Sequence, residues 1–116
     1  GIVKDTIHTT ELDTTYTLGV ELLQKRKYAK ALYILNDYND RNTVVAHLSL
    51  DHNERAMELL ATMPKDAVTE YLRAIACSRL GRKAEGRKHF LEACRLDGRM
   101  EYRGNLDPEI AELLKQ

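Results

Sequence analysis

Four histidines, two cysteines and a band of arginines are the side chains here that could do chemistry. His47 and Asp51 stand one helical turn apart, with His52 and Glu54 close behind, a nitrogen and oxygen set of a kind that ligates metals. Asp51-His52-Asn53 reads as a tight turn between helices, which splays such groups outward instead of converging them. They are expected to be solvated loop groups, and no metal or cofactor is expected. Cys77 and Cys94 stand seventeen positions apart, in no metal or redox spacing, and read as two reduced core thiols. Gly81 and Gly86 are isolated, so no phosphate-cradling loop is present. No Ser or Cys has a base at a spacing that a fold would bring together. No catalytic residue is assigned, and the chain is expected not to be an enzyme.

The arginines raise a second possibility. Between positions 71 and 103 stand nine basic residues (Arg73, Arg79, Arg82, Lys83, Arg87, Lys88, Arg95, Arg99 and Arg103) against Glu85, Glu92, Asp97 and Glu101. A nucleic-acid surface needs such charges on one face with stacking aromatics between them. Only Tyr71, Phe90 and Tyr102 are near, and Phe90 has the spacing of a core residue. The stretch is expected to be a solvated face with one-turn salt bridges, with a nucleic-acid-binding hairpin as the rival reading. Over the whole chain, eighteen basic residues cancel eighteen acidic ones, which argues against a dedicated binder of nucleic acid or anionic membrane.

Elements that could position these groups are all helical. A chain of 116 residues, 43% hydrophobic, is long enough for one core and too apolar for intrinsic disorder. No apolar run reaches the ~18–20 residues of a membrane-spanning helix, so no membrane span is expected. Gly1-Ile2 reads as the scar of a cleaved tag, with 1–12 as a flexible segment and 13–116 as a single helical domain. Strict apolar–polar alternation is absent, and apolar residues recur at helical spacing. Helices are predicted near 14–25, 28–37, 41–50, 54–63, 67–80 and 83–96, and a last one within 107–116. Asp13 or Thr10, Asp40, Asn53 and Asp66 are the expected N-caps. Gly81 and Gly98 are the expected stops, and Asp107-Pro108 is a cap followed by a first-turn proline. Connectors of two to five residues force neighbouring helices into antiparallel hairpins, and 98–107 is the one long connector.

Leu18-Gly19, Leu22, Tyr28, Ala31 and Leu35 together resemble the tetratricopeptide repeat, with its Leu-Gly pair, a large residue three on, and a small residue in the second helix. Gly19 and Ala31 are small where two helices would cross closely, and Ala74 and Gly86 repeat them at the same spacing of twelve. Ala56 and Leu60 keep the pattern in a degenerate middle copy, where Val44 replaces the small residue. The small positions Ala31, Ala56 and Gly86 are 25 and 30 residues apart, against about 34 in the family, and the signature Trp is missing. The resemblance covers roughly 13–98. It implies an all-α fold, a right-handed stack of three antiparallel helix hairpins closed by a C-terminal capping helix. Gly104-Asn105-Leu106-Asp107-Pro108-Glu109-Ile110 further resembles a closing segment in tetratricopeptide portions of larger Gram-negative envelope proteins, implying a bacterial periplasmic or envelope setting over a cytoplasmic one.

The resemblance also implies a function. The family holds peptides on the concave face lined by the first helix of each hairpin. Here those positions are Tyr16, Val20 and Leu23, then Arg41, Val45 and Leu48, then Tyr71, Ile75 and Arg79. The Lys and Asn residues that clamp chaperone carboxylates in one subtype are absent from them. A protein or peptide partner and a non-enzymatic scaffolding role are therefore expected. The alternative is a structural spacer whose inner face is filled by its own last helix or by a second copy. That helix, with Ile110, Leu113 and Leu114 on one side, is expected to dock against Leu91 and Cys94 or near Ile75.

Overall fold

The computed structural model describes residues 14–115, and every regular element among them is a helix. The expected segment 1–12 and the caps proposed at Thr10 and Asp13 lie outside the described residues. The elements are α1 (14–24), α2 (Tyr28–Leu35), α3 (Arg41–Ser49), α4 (Asn53–Leu60), α5 (Ala67–Arg79), α6 (Lys83–Leu96), α7 (Arg99–Asn105) and α8 (Pro108–Leu114). They form two compact units, one ending at Asp51 and the other beginning at His52.

In the first unit α1 and α2 pack as a hairpin across Gly19. A Cβ there would lie 2.7 Å from Leu35 Cδ2 and 3.1 Å from Ile34 Cγ2, so any larger residue would have to push these side chains aside. Ala31 is fully buried, as its small size at a helix crossing requires. Asp40 caps α3 in a reciprocal box: its carboxylate accepts from Thr43 N, and the Thr43 hydroxyl accepts from Asp40 N. Arg26, Asn39 and Asp51 turn the corners with positive φ.

The second unit is built on α5 and α6, joined through Gly81 at φ +78°. Asp66 caps α5 in a second reciprocal box, with Thr69. Tyr71, Ala74, Ile75, Phe90, Ala93, Met100, Ile110 and Leu113 make one core. Burying Ile110 and Leu113 alone contributes about 1.5–3 kcal/mol each.

Three local expectations need correction. Asn53 does not cap α4; it is the first helical residue, after His52, and no side chain caps that end. α6 ends at Leu96, just before Gly98 as expected, but Gly98 at φ −57° leads directly into α7, so the expected long connector is itself a helix. Gly104 and Asn105 disguise α7, because both are poor helix formers. Packing overrides them: a Cβ at Gly104 would lie 2.5 Å from the Phe90 ring, so the close fit of α7 on α6 requires a glycine.

Candidate functional site

The nine expected binding residues divide between the units. In the first, the Tyr16 hydroxyl donates to Asp40 Oδ2 at 2.5 Å and accepts from Asn42 Nδ2 at 2.5 Å. Its ring meets Tyr38 edge-on, with centroids 5.0 Å apart. Val20, Leu23 and Val45 are half-buried, Arg41 is exposed and Leu48 is buried. The stripe 16–20–23 on α1 and the stripe 41–45 on α3 therefore both start at the Tyr16–Asp40 bond.

In the second unit the equivalent residues hold the chain's own last helix. Tyr71 is only 2% exposed, and its hydroxyl donates to Asp107 Oδ2 at 2.8 Å, the same Asp that caps α8. The Arg103 guanidinium lies 4.7 Å over its ring. Burial, then the Asp107 carboxylate, push the Tyr71 hydroxyl well above its ordinary pKa near 10. One turn on, Ile75 shares the core with Ile110 and Leu113. Two turns on, Arg79 grips Glu109 with Nε at 2.6 Å and Nη2 at 3.1 Å, a bidentate pair. Ser78 Oγ donates to Glu109 O and Arg87 to Leu113 O, so α8 is bonded to both α5 and α6. Docking does not involve Leu91, which is 63% exposed, and Leu114 stays largely outside. Helical phase explains it: Ile110 and Leu113 share the buried face, with Leu114 at its edge.

The basic stretch meets its counter-charges in space. Arg73 pairs with Glu70, Arg79 with Glu109, Arg82 with Glu54 and Lys83 with Glu112, all acids outside positions 71–103. Of all these pairs, Arg73 with Glu70, Arg95 with Glu92 and Arg99 with Asp97 are local ones that the sequence does suggest.

A polar cluster that sequence spacing does not reveal lies in the same hairpin. Glu70 is 2% exposed, yet its carboxylate meets Arg73 Nη1 at 2.5 Å and His89 Nδ1 at 2.6 Å. Arg73 Nη2 also donates to the carbonyls of Leu60, the last residue of α4, and of Met63 in the turn that follows it. The thiol of Cys77, a carboxylate oxygen of Glu85 and a ring nitrogen of His89 lie within 4.8 Å of one another. Cys77 thus faces a base, contrary to expectation. Burial, reinforced by Glu85, pushes its thiol up to about 11, so it stays protonated and unreactive at neutral pH. Cys94 is also a free thiol. The His47 set behaves differently from its expected solvated state: His47 is buried in α3, whereas Asp51 and His52 are exposed in the turn. No protein-family model, curated protein or solved structure matches the chain.

Proposed function

We propose that the chain is a non-enzymatic protein-interaction module, tetratricopeptide-like in its right-handed stacking of hairpins, that takes a peptide segment of a partner against its first unit. The observation that carries this reading is the contrast between two equivalent stripes. Tyr71 and Ile75 are buried beneath an amphipathic helix that opens with an Asp-Pro cap, whereas Val20, Leu23 and Val45 stay partly exposed beside Arg41. Half-exposed aliphatics next to tyrosine and arginine are the residue types that dominate interface energetics. The ion pairing of the basic stretch supports a protein partner over nucleic acid, since phosphates would have to displace glutamates already in place.

A displayed library of amphipathic helical peptides, selected against the intact chain, tests the proposal. Selected peptides should bind at least tenfold more weakly to Val20→Asp and Leu23→Asp, and unchanged to Tyr33→Asp, whose ring is exposed on α2. No selected binder, or binders indifferent to Val20 and Leu23, would overturn it. The burial of Tyr71 and Ile75 favours a second reading, a spacer whose inner face is covered by its own last helix. In that case the same selection returns nothing.

A further inference from the structure

Cys77 sits near the end of α5, and Glu85 and His89 are one turn apart on α6, so both sides of one hairpin supply donors to the same point. Gly86, between the two α6 residues, makes the approach possible. A Cβ there would stand 3.0 Å from Cys77 Cβ, so a larger residue would hold the thiol away from α6.

The histidine is already oriented. Glu70 is ion-paired with Arg73 and therefore accepts, so Nδ1 of His89 carries the proton and donates to it. Nε2 faces the other way, 3.9 Å from Glu85 Oε1. A buried carboxylate that fixes the far nitrogen is the usual companion of a metal-bound imidazole.

We propose that Cys77, Glu85 and His89 form a zinc(II) site that ties α5 to α6, with Glu70 as the positioning residue for His89. Sulfur, nitrogen and oxygen in one set suit zinc, whereas calcium and magnesium take oxygen alone. One thiolate and one carboxylate balance the dication, and the charge of Glu70 is met by Arg73. A coordinated thiol loses its proton to the metal's charge, so its protonated state in the free hairpin is no obstacle. Donors in a tetrahedral shell stand ~3.3–3.6 Å apart, given bonds of ~2.0–2.3 Å. Glu85 has a half-exposed side chain and can close the remaining distance by rotating. Water completes the shell on its exposed side.

The chain, stripped with a chelator and kept reduced, is titrated with zinc chloride against a chromophoric competitor, and with cobalt(II) as a spectroscopic probe. One zinc per chain is expected, with a raised melting temperature and a thiolate-to-cobalt absorption band in the near ultraviolet. Cys77→Ser should abolish that band, and His89→Ala and Glu85→Gln should each weaken zinc by tenfold or more. Glu70→Gln should weaken it by about tenfold while leaving the band in place. Cys94→Ser should change nothing. The exposed Glu85 is the control should Cys77→Ser fail to fold. Absence of stoichiometric zinc, a cobalt spectrum without the thiolate band, or affinity unchanged in Glu85→Gln would each overturn the proposal.

Discussion

Tyr16 and Tyr71 open equivalent stripes in the two units, each three residues before a small one, Gly19 and Ala74. Each ring packs edge-on against another aromatic, Tyr38 or Phe90. Each hydroxyl donates to the aspartate that caps a later helix, Asp40 for α3 and Asp107 for α8. The two regions diverge beyond that aspartate. Around Tyr71, the cap brings in α8, whose Ile110 and Leu113 complete a core, and Arg103 closes over the ring. Around Tyr16, the neighbouring Val20 and Leu23 stay half-buried. One local motif, a tyrosine bonded to an N-cap aspartate, thus serves a filled core in one unit and a partly open stripe in the other. Beyond Asp40, α3 buries Val44, Ala46 and Leu48 but leaves Val20 and Leu23 of α1 half-buried.

The largest test of this contrast removes α8. Deleting 106–116 should lower the melting temperature sharply or cause self-association, because Tyr71 and Ile75 lose their cover. Leu113→Ala alone should cost about 2–5 kcal/mol in denaturant unfolding, as a fully buried leucine does. Val20→Ala in the first unit should cost less than about 1.5 kcal/mol. Equal losses at the two positions would mean that the stripes are equally covered, and the contrast would fall.

A smaller effect is expected from the glycines that allow each close approach. Gly104→Ala drives a methyl group into the rigid Phe90 ring and should destabilise by about 1–3 kcal/mol despite the better helix propensity of alanine. Gly19→Ala meets Leu35, whose side chain can turn aside more readily, and should cost less. Thermal melts of the two variants side by side decide the order, and the reverse order would place the tighter packing in the first unit.

The smallest effect concerns the hydroxyls. Tyr71→Phe should cost about 0.5–1.5 kcal/mol near neutral pH, the net worth of one hydrogen bond. Its raised pKa adds a pH signature. Stability from this group is fully present below the unfolded value near 10 and is lost as pH rises from there toward the higher folded value. Unfolding free energies measured from pH 9 to 11 should therefore fall less steeply in Tyr71→Phe than in the parent. Tyr16, raised chiefly by burial and then by its bond to Asp40, should give the same sign. Identical alkaline slopes in parent and Tyr71→Phe would show that Tyr71 is neither buried nor bonded to Asp107 in solution.

Sequence by itself determined what is local. Periodicity placed seven of the helices, because an amphipathic face repeats within one segment. Caps at Asp40, Asp66 and Asp107-Pro108 were legible because an N-cap bonds only two or three residues ahead. The small residues Gly19, Ala31, Ala74 and Gly86 were legible as crossing points, and all four are buried. Tertiary structure alone decided the rest, since the partner of a long side chain depends on which helices cross. Only the fold brings Glu54, Glu109 and Glu112 to the arginines and lysine of the last hairpin, and buries His47 where a solvated group was expected. It makes α7 a helix against its own glycine and asparagine, because the Phe90 ring takes the space a side chain at 104 would need. It also gathers Cys77, Glu85 and His89 around one point. Cys77 comes from a different helix, which no one-segment spacing can reveal, and a buried carboxylate turns the histidine toward them.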